Sequence, residues 1–281
     1  MQKTITKEQV SALVRERLPE LAFELPDDVL VGLKRALECE TSERAAQALR
    51  LLVDNAQIAR TDRVAICQDT GSVWACLEVG PDVMVQGDVL DAVNEAVAEA
   101  YTLNHLRKSL VRDALFDRVN TGDNTPAFTE IHASARPGAR LHLMCKGGGS
   151  DNASRVVMLP PSAGRDGIAQ EVLSCVREKA ANACPPLVIG VGVGATFDKV
   201  AGLAKMALMR PIGSQVPDPH VAAFERELLD AVNATGIGAA ALGGATTALA
   251  VHVNTAPCHI AALPLAINMG CSALRRGTYE L

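Results

Sequence analysis

The run from Gly167 to Met209 constrains the fold most. Helical spacing over Gly167–Ala183 passes through Cys184-Pro185-Pro186 into the apolar stretch Leu187–Val193 and a glycine loop, the glycines falling in Gly190-Val-Gly192-Val-Gly194. Helical spacing then resumes over Phe197–Met209. A chain that switches from a period of 3.6 to a short β-branched run and back must lay a strand against helices. The expected class is therefore α/β in the mixed α+β sense, with mixed sheets flanked by helices.

The flanking sequence extends that reading. The first sixty residues are helical in pattern: Thr6-x-x-Gln9 forms a capping box, Pro26-Asp27-Asp28 opens a second helix, and a third covers Glu43–Ile58. Val64–Cys67 reads as a short strand entering a polar loop, with Trp74–Gly80 as its hairpin partner, and Asp91–Tyr101 as a helix. Phe128–Ala135 and Arg140–Cys145 read as strands about a turn at Arg136–Ala139. A helix over His220–Thr235 and a β-rich run over Thr246–Asn254 follow, with Pro211–Pro219 as a loop. No repeat, low-complexity tract or interdomain linker interrupts the chain. Residues 1–281 thus read as a single domain, with residues 1–60 as its helical N-terminal segment.

Composition narrows the function. A net charge of -5 argues against a nucleic-acid or anionic-membrane surface, and 3% aromatic residues leave little for stacking bases. The N-terminus lacks the apolar core of a signal peptide, and no apolar run is long enough to span a bilayer. A cytoplasmic location is expected, where the eight cysteines stay reduced. No Cys-x-x-Cys pair suggests a zinc ribbon or a thioredoxin-type centre.

Three cysteines stand apart from the rest. Cys67 precedes Gln68-Asp69-Thr70-Gly71, Cys184 precedes two prolines, and Cys271 follows a glycine ahead of Arg275-Arg276. Each sits at the end of an apolar element, whereas Cys39, Cys76, Cys145 and Cys175 lie among apolar or helical neighbours and read as small hydrophobes. Three converging thiolates can hold an iron–sulfur cluster with one iron open, but spacing alone does not bring them together. Buried filler is the other reading, and Cys258 beside His259 is open to both.

The remaining motifs are individually ambiguous. Gly190–Gly194 imitates a dinucleotide fingerprint, yet it lacks the G-x-G-x-x-G spacing, and about twenty residues on stands Arg210 instead of an acid. Its glycines either permit close packing or offer amides to an anion. Lys146-Gly-Gly-Gly-Ser-Asp-Asn152 is not a P-loop; it is either a flexible turn or a set of backbone amides suited to a carboxylate. Asn120–Pro126 is an Asx-rich loop, Arg107-Lys108 lies on an expected helix as a solvated face or an anion site, and His259 is a core or a functional histidine.

Taken together, these segments resemble the iron–sulfur hydro-lyases of the class I fumarase and tartrate dehydratase type, specifically the α subunit. The resemblance rests on Cys67–Gly71, Leu106–Ser109, Asn120–Pro126, Lys146–Asn152, Cys184–Pro186, Gly190–Gly194, Leu203–Lys205, Leu242–Gly244, His259–Pro264 and Cys271 with its trailing arginines. It implies that Cys67, Cys184 and Cys271 hold a [4Fe–4S] cluster whose fourth iron takes the substrate. It places Gln68, Asp69, Arg107, Gly148 and His259 around a dicarboxylate, with Asp69 and His259 as the catalytic pair. The general base and further cationic groups would come from a separate β subunit, in an α₂β₂ assembly.

Some positions depart from the family's pattern. Relatives carry Gly-Ile-Gly-Pro-x-Gly-Leu-Gly-Gly where this chain has Gly236-Ile-Gly-Ala-Ala-Ala241-Leu-Gly-Gly244, and Ala195 replaces a common glycine. No site residue is assigned to the first of these loops. By the same resemblance, Asp123–Pro126, Lys146–Asn152 and His259–Pro264 have the form of fumarate-type members, which implies fumarate and malate as substrates, with tartrate or methyl-substituted fumarates as alternatives within the class. A non-catalytic cluster carrier or sensor and a nucleotide-dependent oxidoreductase are the alternatives outside it.

Overall fold

The structure is a computed structural model that describes residues 3–281. In chain order it forms β1 (Lys3–Thr6), α1 (Lys7–Phe23), α2 (Asp27–Cys39), α3 (Glu43–Asp62), β2 (Ser72–Val79), β3 (Val83–Gln86), α4 (Val89–Leu103), β4 (Phe128–Ala133) and β5 (Ala139–Lys146). There follow α5 (Gly148–Asn152), β6 (Arg155–Leu159), α6 (Gly164–Lys179), β7 (Leu187–Ala195), α7 (Phe197–Leu208), α8 (Pro219–Asn233), β8 (Ala248–Cys258), β9 (Leu263–Gly270) and β10 (Arg275–Glu280). The mixed α/β class holds. No described helix is long and apolar enough to cross a membrane.

The chain divides into two compact units. The first comprises residues up to Pro26, Ala56–Gly148 and Arg275–Leu281; the second comprises Asp27–Asn55 and Gly149–Leu274. The helical opening of the chain is therefore shared between them, α1 in the first unit and α2 in the second.

In the first unit, β1 pairs with β3, and a four-stranded mixed sheet runs in the order β10-β5-β2-β4. Alternation of side chains turns Val73, Ala75 and Leu77 of β2 and Leu141, Leu143 and Cys145 of β5 into one core with α1 and α4. The Thr6 capping box forms as the sequence predicts: the Gln9 amide and the Thr6 side chain bond, and the Gln9 side chain accepts from the Thr6 amide. Two expectations fail here. Residues 64–67 form no strand, and β2 instead lies between β4 and β5, parallel to the first and antiparallel to the second. The Arg136–Ala139 turn likewise joins no hairpin, because β4 and β5 lie on opposite sides of β2. Hydrophobic alternation specifies which face a strand buries, not which neighbour it takes.

In the second unit, the sheet order is β6-β9-β7-β8, with β7 parallel to β8 and antiparallel to β9. Leu187, Ile189 and Val191 pack towards α6 and α8. The opposite face of β7 is Gly190 and Gly192, where α7 lies against it. A Cβ on Gly190 would fall 2.2 Å from the Ala204 carbonyl oxygen, and one on Gly192 would fall 2.4 Å from that of Val200. These glycines therefore serve close packing of helix on strand. They lie inside β7 and not in a loop after it, so the likeness to a dinucleotide fingerprint dissolves.

Candidate active site

Gln68 and Asp69 lie on a turn, residues 67–71, that the first unit holds by its main-chain carbonyls. Arg275 Nη2 donates to the Asp69 oxygen at 2.8 Å, and the Tyr101 hydroxyl reaches the Thr70 oxygen at 3.0 Å and the Gly71 oxygen at 3.1 Å. Asn124 Nδ2 also donates to the Gly71 oxygen, at 3.1 Å, while the Thr70 hydroxyl donates to the Arg107 oxygen. Tyr101, Asn124 and Arg275 are all buried. Burial drives the Tyr101 hydroxyl far above its usual range, so it remains a neutral donor. Gly71 has φ +82°, and a Cβ there would meet the Lys146 oxygen at 2.7 Å, so glycine is required where the turn presses on β5.

The Asp69 carboxylate sits in a cradle. Its Oδ2 accepts from the Gly148 amide at 2.7 Å, and its Oδ1 accepts from the Gly71 amide at 3.1 Å and from Arg107 Nη2 at 3.4 Å. Arg107 also reaches the Ser109 hydroxyl at 3.3 Å, and is itself exposed. It lies beyond α4 on a segment without regular secondary structure, not on the helix that the sequence suggests. Ser109 is fixed by the Asn124 side chain, whose Oδ1 accepts its amide at 2.7 Å. The Gly148 amide, expected to face a ligand carboxylate, is thus engaged by a carboxylate of the chain itself. Gly148 opens the short α5, so the glycine tract runs into a helical turn.

Cys67 is half-buried; its Sγ accepts the Asp69 amide at 3.4 Å and lies 3.3 Å from Gln68 Oε1, and Gln68 is exposed. In the second unit, Cys184 is exposed in a left-handed conformation (φ 54°) after the Ala180–Ala183 turn of 3₁₀ helix. Its carbonyl oxygen accepts the Ser272 amide at 3.0 Å, which joins the Cys184 and Cys271 segments. The Pro185 oxygen accepts the Ala240 amide at 2.8 Å, tying on the departing Gly236–Gly244 loop. Ala241 and Ala195 both adopt left-handed backbone at φ 58°. His259 is exposed, with Nδ1 accepting the Ala261 amide at 3.1 Å.

Two of the three predicted thiols thus share a backbone junction, while Cys67 belongs to the other unit. All eight cysteines are free. Among the described residues, no group of three His, Cys, Asp or Glu side chains closes on a single metal ion. By contrast, burial raises the thiols of Cys76 to about 12 and Cys175 to about 11, and raises that of Cys145. Those three are apolar filler, as expected, whereas Cys39, expected to join them, is exposed at the end of α2. The chemistry of each thiol suits cluster ligation: all three are at least partly accessible on loop segments, and Cys67 already accepts an N–H bond of the kind that tunes cluster sulfur.

The profile of the fumarate hydratase (Fumerase) family matches residues 11–280. The chain belongs to this family. Its chemistry is accordingly that of a hydro-lyase. A Methanocaldococcus jannaschii protein, provisionally named L(+)-tartrate dehydratase subunit alpha, is 36% identical over 95% of this chain and 96% of its own. The L(+)-tartrate dehydratase subunit alpha of Escherichia coli K12 is 34% identical over 92% of this chain and 86% of its own, as is that of Shigella sonnei. Sequence reasoning missed Tyr101 and Arg275 as supports of this fumarase-family site. Tyr101 looks like an ordinary core aromatic, and Arg275 looks like one of two trailing arginines.

Proposed function

We propose that this chain is the α subunit of an iron–sulfur hydro-lyase that adds water reversibly across the double bond of fumarate to give malate. The observation that carries the reading is the Asp69 cradle. A carboxylate is held there by a backbone amide and a guanidinium, the donors that a dicarboxylate substrate requires.

In this reading Cys67, Cys184 and Cys271 hold one [4Fe–4S] cluster. When bound, it supplies a Lewis-acidic iron that makes hydroxide a tolerable leaving group. Arg107 and the Gly148 amide bind one substrate carboxylate, exchanging part of their bonding with Asp69 for the substrate. Asp69, freed on one oxygen, and Gln68 then hydrogen-bond the departing or attacking hydroxyl. His259, its ring fixed through Nδ1, presents Nε2 to the substrate and holds or releases a proton there. The base that takes the carbon-bound proton comes from a separate β subunit. The relatives' designation as α subunits supports such a partner, and α₂β₂ is the assembly we propose. The cytoplasm, where an open iron and free thiols survive, is the proposed location.

The relatives' names favour a second reading, dehydration of L-tartrate. Both substrates are four-carbon dicarboxylates, so Arg107 and Gly148 serve either. Measuring kcat/KM for malate and for both tartrate enantiomers, on the anaerobically reconstituted α and β complex, decides between them. A ratio above one for malate supports fumarase activity. A ratio favouring a tartrate overturns it and leaves the cluster assignment standing.

A further inference from the structure

We infer that Arg275 is a positioning residue for the substrate cradle, acting through the Cys67–Gly71 turn. This rests on the reading that Asp69, Arg107 and Gly148 receive the substrate.

Arg275 begins β10, opposite Cys145 of β5, which in turn lies opposite Val73 of β2. Cys145 and Val73 face the core of the first unit, 3% and 0% exposed, and Arg275 is 1% exposed. Packing alone calls for an apolar side chain at this end of the row, and burying a guanidinium is costly unless its bonds matter. One of those bonds goes to the Asp69 carbonyl oxygen, at 2.8 Å.

Need for a donor does not explain the choice of arginine. The next two carbonyls of the turn, those of Thr70 and Gly71, are satisfied by neutral groups, Tyr101 and Asn124. Arginine adds two things: a charge that never titrates and a planar fork that fixes direction. Its position places the charge beneath the cradle. A Cβ built on Gly147 would lie 3.2 Å from Asp69 Oδ2 and 3.8 Å from Arg275 Nη2, so the cation and the carboxylate flank the same glycine. A substrate carboxylate arriving beside Asp69 brings a second negative charge, and a buried cation below lowers the cost of that encounter. Arg275 therefore touches no substrate atom, but sets where Asp69 stands and favours a second carboxylate there.

The test compares Arg275→Lys and Arg275→Gln with wild type in the complex with the β subunit. Two readouts are taken: the split between KM and kcat, and hydrogen exchange at the amides of residues 67–71 and 147–148. We expect Arg275→Gln to raise KM roughly tenfold, the scale of one lost charge-assisted hydrogen bond, with a much smaller change in kcat. Arg275→Lys, which keeps the charge, recovers part of that loss. Exchange quickens at those amides in both variants, while the amides of β2 and α4 keep their protection. A merely structural arginine gives a different pattern: exchange rises across the whole unit, and activity falls with the folded fraction at unchanged KM. That pattern, unchanged exchange at residues 67–71, or failure of both variants to fold overturns the inference. An inactive wild-type complex sinks the substrate reading, while local exchange still decides the role of Arg275.

Discussion

Replacing Gly190 and Gly192 by alanine distinguishes a packing role for the glycine strand from a ligand-binding one. The built Cβ on Gly190 lies 2.2 Å from the Ala204 oxygen and 3.0 Å from Leu208 Cγ. That on Gly192 lies 2.4 Å from the Val200 oxygen and 2.7 Å from the Ala204 nitrogen. Carbon contacts relax at about 3.5 Å or more, so α7 must lift from β7 by roughly 1 Å. Neither obstacle is a flexible side-chain tip; the nearest atoms are helix backbone. Overpacking of this kind costs about 1–3 kcal/mol per site, and the two sites share one helix, so their costs do not add fully. Thermal unfolding followed by circular dichroism should show each single variant several degrees lower, roughly 2–4 °C per kcal/mol. NAD(P) binding should be absent from wild type and variants alike. Unchanged midpoints, or a dinucleotide bound by wild type and lost in the variants, would refute the packing argument.

Other consequences follow from the same geometry. Ala195→Gly and Ala241→Gly relieve left-handed alanines and should each raise unfolding stability by about 0.5–1 kcal/mol in denaturant titrations; a loss of stability would show the strain argument to be wrong. Tyr101→Phe removes the buried hydroxyl donor from the Thr70 oxygen, while the Gly71 oxygen keeps that of Asn124, and should cost about 1–3 kcal/mol, with quicker hydrogen exchange at Gly71. Burial opposes ionisation of Glu78, but hydrogen bonds from Ser134, His142 and Arg140 outweigh it and hold its carboxyl at about 2. Because this pKa is depressed on folding, the contribution is full above the unfolded value and is lost as pH falls from about 4.5 towards 2. Glu78→Gln should therefore flatten the acid limb of stability across that window, and an unaltered limb would contradict the assignment.

The sequence carried the helices and the site's motifs better than it carried the sheets. Thr6 and Gln9 announce a cap because both partners are local, and α7 and α8 follow from spacing over a dozen residues or more. By contrast, β9 and β10 went unread, and β2 acquired a false hairpin partner. Strand order depends on contacts far apart in sequence, such as Ser72 with Lys146 and Arg275 with Cys145. The candidate site divides in the same way. Asp69, Arg107 and Gly148, named from their flanks, do lie together in the first unit, but the engagement of the Gly148 amide by Asp69 needed three dimensions. Arg275 was invisible as a support, since nothing local marks an arginine that will point into a core row.

Ligation of one cluster by Cys67, Cys184 and Cys271 is tested by iron and sulfide content, with hydro-lyase turnover, in anaerobically reconstituted complexes carrying Cys67→Ser, Cys184→Ser or Cys271→Ser, with Cys39→Ser and Cys175→Ser as controls. Each of the first three should lose both the cluster and turnover, while the controls keep both. Full cluster content and activity in any of the three, with loss in a control, would contradict it.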